Sequence, residues 1–537
     1  MIGIGTQVLK WRKKSWILGP IPDEMATRMN ITMNMLFRVM KPDGSSRPIL
    51  NLADKSSTGF SVNDVLEPTW CTVEYVQQKE IIETLRALGP NSWLWAKDLV
   101  DGYYNVSVRK EDVKHLGFQF DGKTYVFQVI PMGLSSSPTI FTEYMHFPIW
   151  AIRNADRELY EVSVPADLIN LDHFRSFADI THENDQLIIA TIFYYLDDIL
   201  GGHRTLEGAQ RQWLHSESIL RLLNMQTKNA KGRPPNQIQI FLGKEYDTIR
   251  RWVRISDEKL AKYSTVIQEV LKKQFVSLRD MQSLIGKIRH MASVYRPLSA
   301  FARGLEKYIY TKNKPTKIHM SRNLKRDLNF ALWGITEAST FGVPWDYFVA
   351  PTRHPVATCY TDASLKIGCG GVSSTGLFWQ HRWSEFKLSS PDSRDIVWRE
   401  LVAIHTMIFL LHDEMGAALR DQTIAIFTDN TPCKYMLISM SAKLYRPDLQ
   451  CLINDICRLC VKHRIHLWLE YVPGKQNIVA DALSRFLPVP PGKNTALPRY
   501  QHSGLTHLRR ASNLAAEWTA KKEYLIWIDD DDVASTV

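Results

Sequence analysis

Tyr194-Tyr195-Leu196-Asp197-Asp198-Ile199-Leu200 sets two adjacent carboxylates between apolar, β-prone flanks. The pattern predicts a hairpin whose turn carries Asp197 and Asp198 out from the end of a sheet. Taken alone, an ordinary turn remains the competing reading, because aspartate favours turns for purely conformational reasons. A second acid lies upstream, in Trp95-Ala96-Lys97-Asp98-Leu99-Val100-Asp101-Gly102-Tyr103-Tyr104, where Asp98 closes an apolar strand. Two carboxylates about 4 Å apart repel by about 4 kcal/mol at an effective dielectric near 20. That is a large share of a domain's stability of about 5–15 kcal/mol. Such a cluster needs a proton or a cation, and a pair of divalent ions supplies both charge and phosphoryl-transfer chemistry.

Between the acids lies Ile130-Pro131-Met132-Gly133-Leu134-Ser135-Ser136-Ser137-Pro138. Gly133 permits close backbone approach, and Ser137 before Pro138 reads as a helix N-cap. A plain strand-to-helix turn fits that stretch equally well.

In this order the motifs resemble a retroelement reverse transcriptase. Asp98 matches the first catalytic aspartate of the palm, and Tyr195-Leu196-Asp197-Asp198 the paired-aspartate hairpin. Met132 and Gly133 match the template-grip motif, and Tyr103 stands where the family places the ring that excludes ribonucleotides. Lys41 and Arg47, in Phe37-Arg38-Val39-Met40-Lys41-Pro42-Asp43-Gly44-Ser45-Ser46-Arg47-Pro48, match the basic clamp on the nucleotide. Phe241-Leu242-Gly243 resembles the primer grip, and Lys228 the lysine near the incoming phosphates. The resemblance spans nearly all of residues 30–310. It implies an RNA-directed and DNA-directed DNA polymerase with fingers, palm and thumb, two Mg2+ ions per active site (Mn2+ possible), and partners in RNA or DNA template-primer and deoxynucleoside triphosphates. Met132 departs from the glutamine of retroviral enzymes, and Gly102 from a common alanine.

A second acidic series follows. Asp362 ends a short strand before Gly368-Cys369-Gly370-Gly371-Val372, which reads as a tight strand-to-strand turn. Glu400 borders the apolar stripe Val397, Leu401, Ile404, Ile408 and Leu411 of a helix. Asp429 terminates the buried run Ile424–Phe427, and Asp481 sits in the first turn of a helix opened by Asn477. A cap or turn role fits any one of them. Together, in strand–helix–strand–helix order, they resemble the four magnesium-binding carboxylates of ribonuclease H. That family implies a five-stranded mixed sheet with flanking helices and hydrolysis of the RNA strand of a hybrid. Tyr471-Val472-Pro473-Gly474-Lys475-Gln476 leads directly to the last helix, without the retroviral loop and its histidine. The ending Val-Pro-Gly-Lys-x-Asn-x-x-Ala-Asp-Ala-Leu-Ser-Arg is similar to DIRS-like or gypsy-like retrotransposons.

The chain has 537 residues, 45% hydrophobic and 23% charged, enough for several cores and incompatible with wholesale disorder. Its net charge of +10 is concentrated: residues 250–327 hold 19 Lys and Arg against 6 Asp and Glu, or +13, which leaves −3 elsewhere. That segment matches thumb and connection, where Lys287 and Arg289 on a helix opened by Ser277 would meet phosphates without reading sequence. The expected fold class is a multidomain α+β and α/β chain. Fingers and palm occupy 1–247, thumb and connection 248–350, a ribonuclease H-like domain 351–487, and an ill-ordered tail 488–537. Seven unevenly spaced cysteines and no charged-then-apolar leader predict an intracellular protein of the cytoplasm or nucleus. Cys457-x-x-Cys460 lies at helical spacing among leucines and isoleucines, so core packing is favoured over zinc. The longest apolar run, Leu187–Leu196, is too short to cross a bilayer, and no membrane partner is expected. An inactive element remnant or recruited protein that only binds nucleic acid is the alternative. An RNA-directed RNA polymerase fits the palm but leaves Tyr103 and the second acidic series without a role.

Overall fold

Alternation along Trp93–Asp98 puts Trp95 and Lys97 on one face of a strand and Asp98 on the other, and this strand organises the N-terminal half. A computed structural model of the chain describes residues 2–40, 46–55, 59–165, 181–183, 186–228, 232–310, 316–339, 342–348, 355–385, 395–443 and 446–488. The expected C-terminal tail and Lys41 lie outside the described residues. The chain forms two compact units, Met1–Leu242 with Tyr246–Arg251, and Gly243–Glu245 with Trp252–Val537. The fold is a mixed α/β multidomain arrangement with several sheets.

In the first unit, a four-stranded antiparallel sheet runs Ile192–Tyr195, Asp198–His203, Trp93–Asp98, Arg233–Asn236. Its back packs on helices Ser137–Ala155 and Leu206–Leu222 through Trp95, Phe141, Met145, Ile199, Ala209 and Leu220. Lys97 is buried there too: its ammonium reaches Glu217 and the Trp213 carbonyl, both at 2.8 Å, and lies over the Trp213 ring. A five-stranded sheet, in the order Ile17–Ile21, Lys123–Phe127, Gly117–Phe120, Met33–Met40, Ser46–Asn51, is braced by helix Ile2–Lys13 through buried Val8 and Trp11.

Two local expectations, the Ser137 cap and the turn at 368–372, are corrected. Asn105 Nδ2 donates to the Val100 and Gly102 carbonyls and closes a 3-10 turn over Gly102–Asn105. The apolar run through Leu196 is two strands, Gln186–Ala190 and Ile192–Tyr195, because Thr191 turns its amide to Tyr160. The helix after Gly133 begins at Ser137 with Ser136 before it, since Ser137 Oγ is taken up by the Pro131 carbonyl. Gly368–Ser373 is a strand rather than a turn. A Cβ on Gly370 would stand 2.7 Å from Leu483 Cβ, and one on Gly371 2.8 Å from Met407 Cε, so the glycines let helices lie flat on the sheet.

In the second unit, the basic segment folds as helices Asp257–Leu271, Leu278–Ala292, Ser299–Glu306 and Arg322–Ser339. Ser277 Oγ caps the second of these by accepting from the Asp280 amide. A five-stranded mixed sheet follows, ordered Phe378–Arg382, Gly368–Ser373, Ala357–Ala363, Thr423–Thr428, His466–Tyr471, its last two pairings parallel. Helix Pro447–His463 joins the two parts. Tyr295 donates to the Cys460 carbonyl at 2.7 Å, and Cys457 Sγ to the Pro297 carbonyl, so both cysteines of the C-x-x-C are core residues. One helical stretch among the described residues, Ile396–Leu419, is long and apolar enough to cross a membrane, yet Trp398–Leu411 is buried inside this unit.

Candidate active sites

The first acidic site is built at the end of the four-stranded sheet. Tyr195 pairs with Asp198 across a two-residue turn in which Leu196 takes a left-handed φ of 52°. Asp198 stands opposite Asp98 in the antiparallel register, and the Leu99 amide donates to the Asp197 carbonyl at 2.8 Å. Lys228, delivered by a bridge between Leu99 and Thr227, places its ammonium on Asp98 Oδ1 and 3.7 Å from Asp197 Oδ2. A cation therefore already sits where the carboxylates converge.

This cluster opens into a cavity of about 500 Å³ whose walls include Arg47, Tyr103, Met132, Asp197 and Lys228. That volume suits a small polar ligand. Tyr103 is half-buried and packs edge-on against Phe141 with centroids 5.5 Å apart. Burial, with Tyr75, Asp197 and Tyr195 nearby, pushes its phenol up to about 12, so it stays neutral. Tyr75 in turn covers Tyr195, ring to ring at 4.4 Å. Gly133 has φ 115°, and a Cβ there would fall 1.9 Å from the Leu50 carbonyl oxygen. Only glycine lets this loop lie against strand Ser46–Asn51 beside Met132, whose carbonyl accepts from the Leu50 amide.

The second acidic site lies across the middle of the mixed sheet. Asp362, Glu400 and Asp429 bring one carboxylate oxygen each to within 4.8 Å of one another, the only such group among the described residues. Glu400 Oε1 accepts from the Ala363 amide at 3.1 Å, while its buried Oε2 has no partner. Ser484 Oγ donates to Asp362 Oδ2. Burial, reinforced by Asp429 and Asp481, raises Asp362 to about 6. Burial beside Asp362 and Asp429 lifts Glu400 well above the usual carboxylate range, and burial with Asp481 nearby raises Asp429. Three crowded acids with elevated proton affinity and an orphaned buried oxygen are the donor set of a hard divalent cation. Asp481 stands outside the trio, drawn 2.7 Å from Arg485 Nε one helical turn on. Asn477 is the N-cap residue of its helix but makes no side-chain capping bond; its side-chain amide donates to the Thr361 carbonyl and ties that helix to the Asp362 strand.

Comparison with known proteins adds to this geometry. Residues 21–234 match the family model described as reverse transcriptase (RNA-dependent DNA polymerase). These residues are similar to reverse transcriptases. A Drosophila melanogaster protein named Retrovirus-related Pol polyprotein from transposon opus is 23% identical over 422 residues, covering 76% of this chain. The chain spans only 36% of that relative's length. Among solved structures, a foamy viral protease-reverse transcriptase with double-stranded DNA has a TM-score of 0.47 at 16% identity, covering 87% of this chain and 69% of that one. The same kind of protein with an RNA/DNA hybrid has a TM-score of 0.40 at 15% identity, covering 87% and 53%.

The sequence motifs meet unevenly in the structure. Asp98, Asp197 and Asp198 share one strand end, and Arg47, Tyr103 and Met132 share one cavity with Asp197. Leu242 and Gly243, with φ of 52° and 77°, form a tight connection after buried Phe241. In the basic segment, Arg289 is engaged by buried Glu306, which also takes Arg303, and Lys287 bonds Ser283 on its own helix. Sequence reasoning missed Tyr75, Ser484 and the contribution of the first helix. Gln7, Lys10 and Trp11 line the same cavity, and Lys14 holds Asp101 at 2.6 Å. The signal was present as an i, i+3, i+4, i+7 stripe, Gln7, Lys10, Trp11, Lys14.

Proposed function

We propose that the chain is an RNA-directed and DNA-directed DNA polymerase that also degrades the RNA strand of RNA–DNA hybrids. The observation that carries this is the presence of separate carboxylate clusters, one beside a nucleotide-sized cavity and one across a mixed sheet. Magnesium suits both. At the polymerase site the Lys228 ammonium stands in for a cation between Asp98 and Asp197, with Asp198 alongside; at the second site Glu400 Oε2 is a buried oxygen awaiting a partner. Asp362, Glu400 and Asp429 would hold ions there, with Asp481 approaching once released from Arg485. Bound divalent ions supply the Lewis-acid charge that activates the attacking oxygen and steadies the leaving group.

The chain's own residues supply the rest. Asp98 and Asp197 fix the place where the primer 3′-hydroxyl meets the α-phosphate. Arg47 and Lys228 both line the cavity and would meet the phosphates there, Lys228 being available to them once a metal neutralised its aspartates. Tyr103, neutral and packed on Phe141, fills the space a ribose 2′-hydroxyl would need, which selects deoxynucleotides. Met132 and the close-lying Gly133 backbone form the floor for the templating pair. In the second unit, Asp362, Glu400 and Asp429 would hold the divalent ions that meet the scissile phosphate of RNA, and the basic helical segment binds the duplex backbone by charge. Template-primer, deoxynucleoside triphosphates and an intracellular setting complete the reading.

Primer extension on matched RNA and DNA templates tests it. Magnesium-dependent extension on both, with deoxynucleotides strongly preferred, is expected. Template binding with no metal-dependent synthesis would instead identify a nucleic-acid-binding remnant, and extension with ribonucleotides alone would identify an RNA polymerase.

A further inference from the structure

The first helix, Ile2–Lys13, is not among the motifs that define the polymerase site, yet one face of it borders that site. Gln7, Lys10 and Trp11 line the cavity together with Asp101, Tyr103, Asp197 and Lys228. Lys14 donates to Asp101 Oδ2 at 2.6 Å, and Lys10 lies 3.8 Å from Oδ1. Asp101 itself has a left-handed φ of 61° and opens the 3-10 turn that carries Tyr103.

The lysines are not needed to dock the helix. Trp11, 1% exposed, already anchors it by edge contacts to Tyr104, Phe118 and Phe127. The lysine side chains are 45% and 42% exposed, and surface ion pairs of that kind contribute little to stability. Their consequence is electrostatic. Without them the cavity would present Asp101 and Asp197 against Arg47 and Lys228, with Lys228 already shared by Asp98 and Asp197. A polyanionic triphosphate entering such a cavity meets an uncompensated carboxylate at Asp101.

Resting on the polymerase reading above, we propose that this helix is part of the nucleotide site. Lys10 exchanges Asp101 for the phosphates of the incoming nucleoside triphosphate, and Lys14 stays on Asp101 to neutralise it. Lys10 is thus a substrate-binding residue and Lys14 a positioning residue for the Asp101–Tyr103 turn.

The test uses the full chain with Lys10→Met, Lys14→Met and Lys14→Met/Asp101→Asn. Equilibrium binding of a fluorescent deoxynucleoside triphosphate and steady-state primer extension are measured, with melting temperature alongside. Lys10→Met is expected to weaken nucleotide binding about tenfold, the effect of one charge-assisted contact, with the loss in KM rather than kcat. Lys14→Met is expected to raise KM, and adding Asp101→Asn to restore it, a rescue that a merely structural role would not give. Wild-type extension with unchanged KM in Lys10→Met, or no rescue by Asp101→Asn, overturns the proposal alone. A wild-type chain that neither binds the nucleotide nor extends a primer overturns the polymerase reading with it.

Discussion

Tyr103 and Asp362 show how the same burial serves different ends. Tyr103 is held as a neutral ring, and on the proposed reading it acts by its bulk. Replacing it with valine is expected to raise ribonucleotide use about tenfold or more relative to deoxynucleotide use, read as a ratio of kcat/KM values. An unchanged ratio would show that the ring does not face the sugar. Asp362 is held at about 6 against an ordinary 3.8, so the folded chain binds its proton more tightly than the unfolded chain does. In a chelator, the second unit therefore loses stability as pH rises from about 4 through 6, by on the order of 2 kcal/mol. On the proposed reading magnesium would relieve the same crowding, so it is expected to raise the melting temperature at pH 7.5 and to do so less at pH 5. Asp362→Asn should flatten both responses. A melting temperature indifferent to magnesium at pH 7.5 would count against the trio as a cation site.

At the scale of elements, local signals told most of the story where they agreed with one another. The Asp98 strand, the hairpin carrying Asp197 and Asp198, and the Ser277-capped helix were legible because alternation, turn chemistry and capping agree there. The glycine run Gly368–Gly371 was misread as a turn, since nothing local reveals that Leu483 and Met407 press on it. Asn477 holds the N-cap position as read, but a distant carbonyl, that of Thr361, takes its side-chain amide in place of a capping bond. Such long-range partners carry no sequence period. Gly133 is the sharpest case of close approach: alanine there would strike the Leu50 carbonyl. Gly133→Ala is expected to lower the melting temperature and weaken nucleotide binding together, with a stability cost of about 1–3 kcal/mol. Retention of both in calorimetry and binding assays would show that the loop relaxes freely.

Across the whole molecule, charge is unevenly divided, with an excess of +13 over residues 250–327 against −3 for the rest of the chain. Binding to duplex template-primer is expected to weaken steeply with salt, as counterion release requires, and with little dependence on sequence. Charge-reversing pairs of exposed lysines in that segment should flatten the salt slope while leaving the melting temperature near its starting value. A slope unaffected by those changes would move the duplex contact elsewhere. Each compact unit holds one carboxylate cluster, so on the proposed reading each cluster works on its own chemistry.

That implication is most directly tested by assaying Asp197→Asn and Asp362→Asn side by side on one RNA-templated primer, following DNA synthesis and RNA cleavage together. Loss of synthesis alone in the first variant and loss of cleavage alone in the second is the expected result. Synthesis that survives Asp197→Asn, or cleavage that survives Asp362→Asn, would contradict the account.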